Sequence, residues 1–186
     1  VNRVDGLTLT SATVLTGVGD GSGGVGVRNG RVFVGVGFDL DPGIGTETGD
    51  VRAFDLGALM GTGSALDYAS SGVLAARALS GAFLSFDAAG TLFVGGGDFA
   101  GESGFAVALD PDAVAAALAG GPFATSATGL MLAPAGNQFY STVFNGATGE
   151  VLVRAFGDDT VYRYAVPAPS VGMMVPVTRH TMTMER

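Results

Sequence analysis

Gly30-Arg31-Val32-Phe33-Val34-Gly35 is an apolar run bracketed by glycines, and two further stretches repeat its design. They are Gly90-Thr91-Leu92-Phe93-Val94-Gly95 and the degraded Asn137-Gln138-Phe139-Tyr140-Ser141-Thr142, which begins 47 residues after the second. A gap follows each copy, then a second run: Val51-Arg52-Ala53-Phe54-Asp55, Phe105-Ala106-Val107-Ala108-Leu109-Asp110 and Val153-Arg154-Ala155-Phe156-Gly157. Short runs rich in Val and Phe and bounded by Gly read as strands.

Turn chemistry lies between these runs. Residues 25–28 and 31–37 flank Asn29-Gly30, a pair suited to a type I′ hairpin turn because both residues tolerate positive φ. Asp87-Ala88-Ala89-Gly90 joins a run over 82–87 to the second copy. Asp110-Pro111-Asp112 opens an Ala-rich run over 113–119 closed by Gly120-Gly121-Pro122. Asp at the N-cap, Pro in the first turn and Gly after the last predict one short helix. Residues 57–71 form a small, polar connector with one helical turn, and strands return at 130–133, 138–144, 151–156 and 160–166. The 47-residue period lies near the ~40–50 residues of a four-stranded propeller blade. The expected fold is all-β, built of β-propeller-like blades: three repeats, with residues 1–24 adding part of a fourth. An irregular β-sandwich is the alternative. A closed ring takes about four to eight blades, so the chain is a small propeller, an open piece of one, or one part of an assembly. Residues 1–166 form one β-repeat domain. Residues 167–186 form a flexible Pro- and Met-containing tail, since Pro167, Pro169 and Pro176 cannot donate ladder hydrogen bonds.

Composition narrows the function classes. Charged residues are 14% of the chain against 47% apolar, the reverse of a disordered acidic tail. All nine basic residues are scattered arginines in a chain of net charge −8, which leaves no electrostatic footprint for nucleic acid and disfavours anionic membranes. Without cysteine there is no disulfide, no Cys-ligated zinc and no thiol nucleophile. No apolar run is long enough to span a bilayer. The chain starts at Val1, so a removed leader or a longer parent product is expected.

Ser85-Phe86-Asp87-Ala88-Ala89-Gly90-Thr91-Leu92-Phe93-Val94 resembles the repeat of bacterial secreted β-propeller proteins, in which an apolar strand ends in Asp, a Gly turn follows and an aromatic, β-branched strand comes next. Asp159-Thr160-Val161-Tyr162-Arg163-Tyr164-Ala165-Val166-Pro167-Ala168-Pro169-Ser170 is similar to the junction of PEP-CTERM proteins, where a last strand runs into a Val-Pro-Glu-Pro-Ser sorting motif. Ala168 stands at the Glu position, and no apolar helix or Arg cluster follows, so the resemblance implies a signal that does not anchor. Together the two resemblances imply an extracytoplasmic bacterial protein, secreted or on the cell surface.

Candidate chemistry is thin. Residues 39–50 carry Asp39, Asp41, Glu47 and Asp50 at the first, third, ninth and twelfth places of a calcium-loop template. Ile44 occupies the place that needs Gly, Gly43 offers no side-chain ligand, and no helices flank the loop. A solvated loop without tight calcium binding is expected. Asp98 and Glu102 have the chemistry of an acid–base pair, against the plainer reading of loop charges. His180 is the only histidine and lacks partners for a triad or a multi-His metal site. Gly95-Gly96-Gly97 lacks the Lys-Ser/Thr of a phosphate loop. No catalytic, cofactor or metal residue is assigned. The expected function is a non-catalytic binding or structural module for an unidentified ligand or protein partner. A propeller-type, calcium-dependent hydrolase and a fragment without independent function are the alternatives.

Overall fold

The computed structural model describes residues 1–8, 10–19, 23–37, 49–61, 63–78, 80–98, 103–133, 139–155, 160–166 and 180–183. The chain opens with an antiparallel hairpin, β1 (Asn2–Val4) and β2 (Ser11–Thr13), followed by β3 (Leu15–Thr16). Then come β4 (Val25–Arg28) and β5 (Arg31–Gly35), joined by Asn29-Gly30 with φ of 47° and 72°. Positive φ at both central residues is the type I′ turn that the dipeptide calls for. β6 (Gly49–Asp55) ends in Asp55, whose carboxylate accepts from the Ala58 N–H at 2.8 Å and starts α1 (Leu56–Met60). β7 (Leu66–Asp67) ends in Asp67, which caps α2 (Tyr68–Ser71). The Ser70 N–H and hydroxyl donated to Asp67 hold its carboxyl below the ordinary value. β8 (Val73–Ala78), β9 (Phe83–Phe86), β10 (Leu92–Asp98) and β11 (Ser103–Leu109) follow. Asp110 caps α3 (Pro111–Leu118), accepting from the Asp112 and Ala113 N–H groups, with Pro in the first turn as predicted. The rest is β12 (Ala124–Thr125), a 3-10 turn over Ser126–Thr128, β13 (Leu130–Ala133), β14 (Phe139–Asn145), β15 (Glu150–Ala155), β16 (Thr160–Ala165) and β17 (His180–Thr183).

The protein is all-β, with three short helices among the described residues. None is long and apolar enough to cross a membrane. Three sheets run in chain order: β4-β5-β6-β8, β9-β10-β11-β13 and β14-β15-β16-β17, each antiparallel throughout these four strands. β12 leaves the second sheet's chain segment and pairs parallel to β8 on the edge of the first, Ala124 opposite Ala76.

The side chains show how these sheets stack. Phe33, Val51, Ala53, Ala75 and Ala76 of the first sheet form one core with Leu92, Val94, Val107 and Leu109 of the second. Phe93, Ala106 and Ala108, on the second sheet's other face, form another with Val151, Val153, Tyr162 and Tyr164 of the third. Alternate residues along β10 therefore point into different cores. That is why Leu92-Phe93-Val94 is apolar without a break, all three being fully buried. Val32, Val34 and Phe54 on the first sheet's outer face meet Leu15, Leu59 and Tyr68. The Tyr68 hydroxyl donates to the Asp50 carbonyl at 2.8 Å, and burial, then the Asp50 charge, pushes the phenol well above its ordinary value.

Three expectations change. The third sequence copy lies one strand early. β5 and β10 are the second strands of their sheets, whereas β14 is a first strand. The second strand of the third sheet, Glu150-Val151-Leu152-Val153-Arg154-Ala155, directly follows Gly149. That glycine, with φ 68°, matches Gly30 at 72° and Gly90 at 105°. Residues 137–142 share aromatic character with the other two copies, but the left-handed glycine that closes each first hairpin is what backbone sterics hold in place. Phe93 and Phe139 thus occupy different strand positions, and the Phe139 side chain lies outside the described residues, as does most of the gap after the first copy. The tail is the second change: His180–Thr183 pairs antiparallel with β16, Thr160 opposite Thr183 and Arg163 opposite His180. Past the last proline, this stretch has free N–H groups with which to satisfy an otherwise open edge. Residues 167–179 lie outside the described residues. Third, the described residues among the first 24 contribute a hairpin and β3, which pairs parallel to β7 over the first sheet, rather than a part of another four-stranded sheet.

Candidate functional site

A groove of about 260 Å³ opens where the first and second sheets meet α3. Its walls are the β4–β5 turn (Arg28, Asn29, Arg31), the β9–β10 turn (Ala89, Gly90) and one side of α3 (Pro111, Asp112, Val114, Ala115, Leu118). Phe33 and Phe86 form the floor, edge to face with ring centroids 4.8 Å apart. The groove follows from local sequence. The two-residue turn brings Arg28 directly opposite Arg31, and register partners lie on one face. Phe33, two residues beyond Arg31, shares that face, which looks toward the second sheet.

Arg28 is fixed. Its Nη1 donates to the Asp87 carbonyl at 2.6 Å and its Nη2 to the Ala88 carbonyl at 2.7 Å, while the guanidinium carbon lies 5.9 Å from the centre of the Phe86 ring. The Asp87 carboxylate does not neutralise it, being spent on its own turn. It accepts the Gly90 N–H at 2.7 Å and the Thr91 N–H at 2.8 Å. Among the described residues the ion pairs are Arg52–Asp50, Arg77–Asp50 and Arg163–Glu150, so neither Arg28 nor Arg31 has a carboxylate partner there. Asp112 is exposed in the first turn of α3, on the groove wall. The arrangement provides an apolar floor, one carboxylate and two guanidinium groups that form no salt bridge among the described residues, although Asp55, the cap of α1, stands opposite Arg31 across β5 and β6. It can hold a ligand. Among the described residues it has no histidine, cysteine or close carboxylate pair for bond-breaking chemistry.

The residues singled out from the sequence are placed otherwise. Of the calcium-loop residues, Asp39, Asp41, Ile44 and Glu47 lie outside the described residues. Asp50, at the twelfth place, is held by Arg77 (Nε to Oδ1, 2.5 Å) and faces Arg52 at 3.6 Å. Two cations already occupy the carboxylate that a calcium loop would use twice. Asp98 pairs through its backbone with Ser103, and Glu102 lies outside the described residues. His180 pairs through its backbone with Arg163. No group of three or more metal-ligating side chains occurs among the described residues. The groove itself was missed from sequence. The available signal was Arg28-Asn29-Gly30-Arg31, in which a two-residue turn sets like charges face to face. No protein-family model, no curated protein and no solved structure matches the chain.

Proposed function

We propose that the chain is a non-catalytic, extracytoplasmic bacterial binding module built of β-propeller-like blades, with the groove between the β4–β5 turn, the β9–β10 turn and α3 as its binding site. The groove carries this reading: concave, apolar at the floor and charged at the rim, it has the character of ligand sites generally. The blade assignment is supported by three successive sheets, each with four consecutive antiparallel strands, that stack face to face, the first carrying β12 as a fifth, parallel strand. Their first strands approach one another, the Gly24 N–H beside β4 donating to the Gly81 carbonyl beside β9 at 2.9 Å. Loops and turns gathered at one end of such stacks are where repeat folds bind. The extracytoplasmic assignment rests on the resemblance of residues 85–94 and 159–170 to secreted propeller and PEP-CTERM proteins.

A fragment screen followed by amide NMR tests the site. Compounds that bind are expected to shift the amides of Gly30, Gly90 and Ala115 together. Binding that leaves these three unmoved, or no binding at all, overturns the assignment.

A further inference from the structure

We infer that the groove takes a small organic carboxylate whose apolar part lies on Phe33 and Phe86 and whose anionic end meets Arg28 and Arg31. The inference rests on the groove being the binding site and adds the chemistry of its ligand. Like charges directly opposite each other in an antiparallel pair destabilise it, and the fold does not require them here. The pairs that flank the corresponding turns of the other two sheets are Phe86 opposite Leu92 and Asn145 opposite Glu150. Only the first of these hairpins sets two arginines together, in a chain of net charge −8. Asp55, opposite Arg31 on β6, has its carboxylate on the Ala58 N–H, and an anion between the two arginines relieves the repulsion that remains.

The geometry favours a carboxylate over other anions. Guanidinium groups match carboxylates by paired, parallel N–H donors, and with Nη1 and Nη2 of Arg28 each engaged by a backbone carbonyl, Arg31 is the one to supply that pair. Arg28 is held in place by two backbone carbonyls and by Phe86, so little freedom is lost when a ligand meets it. Asp112 on the wall opposes a second negative charge, which disfavours phosphate. The aromatic floor calls for a ring or branched alkyl group, and about 260 Å³ limits it to a small one.

Calorimetric titration of the full chain with benzoate, benzyl alcohol and inorganic phosphate tests the inference. Benzoate is expected to bind at least about tenfold more tightly than benzyl alcohol or phosphate. Arg31→Gln is expected to erase the advantage over benzyl alcohol without lowering the melting temperature, since it removes one of two opposed like charges. Arg31 is the residue to replace because Arg28 also ties two turns together. Equal binding of benzoate and benzyl alcohol with Gly30 and Gly90 amides shifted defeats the carboxylate inference and leaves the site assignment standing. Equal binding of phosphate, or an advantage that survives Arg31→Gln, also defeats it. If none of the probes binds, the inference falls; if fragments then leave those amides unmoved, the site assignment falls with it.

Discussion

Gly35 and Gly81 sit against each other where the first sheet approaches the start of β9, and a Cβ on Gly35 would land on the Gly81 carbonyl. Gly30 is glycine for a different reason. A Cβ there would meet nothing within 4 Å, but φ is 72°, a conformation that disfavours L side chains by about 1–2 kcal/mol. The two substitutions to alanine therefore separate. Gly30→Ala is expected to cost about 1 kcal/mol, whereas Gly35→Ala forces backbone apart in a packed seam and is expected to cost about 3 kcal/mol. Urea denaturation midpoints at unchanged slope measure both. Equal costs would mean that the seam yields. Of the two roles, the turn glycine was legible because Asn-Gly between β-type runs has few other uses. The seam glycine was not, because its neighbour lies far along the chain and only packing brings it near.

Among the elements, β17 departs furthest from expectation. Four residues beyond a proline-containing stretch complete the third sheet, placing Met182 opposite Val161 and Thr181 opposite Tyr162. Without it, β16 would be an open edge. Deleting residues 180–186 is expected to cost about 1 kcal/mol and to lower the melting temperature by roughly 2–4 °C, with faster amide exchange in β16. An unchanged melting temperature and unchanged exchange would return this stretch to the status of a tail. α3 was readable in advance because its start and stop are local: Asp110 as cap, Pro111 in the first turn, glycine after the end. Its destination was not. Val114 buries in the core between the first and second sheets, and β12, just after the helix, pairs with β8 of the first. That crossover makes one wall of the groove.

Across the whole molecule, the second sheet lies between the other two. Leu92, Val94, Val107 and Leu109 face one core and Phe93, Ala106 and Ala108 the other, whereas the β1–β2 hairpin is nearly all exposed. Opening the second sheet breaks both cores, so native-state hydrogen exchange is expected to be slowest at the β10 and β11 amides and fastest in β1 and β2. Slower exchange in β15 than in β10 would contradict this order. The all-β class, the type I′ turn, the capped helix and the apolar triplets of β5 and β10 were all legible in the chain, because each depends on backbone sterics or on periodicity within a few residues. Strand order was not: β14 and β15 have similar apolar content, and nothing local says which comes second in its sheet. The groove escaped for the same reason. Arg28 and Arg31 are neighbours through one turn, but Phe86, Gly90 and Asp112 join them only when the first sheet stacks on the second and α3 folds back. Short-range rules chose the elements of this protein. Burial of both faces of the central sheet, a long-range effect, chose their partners and brought the groove into being.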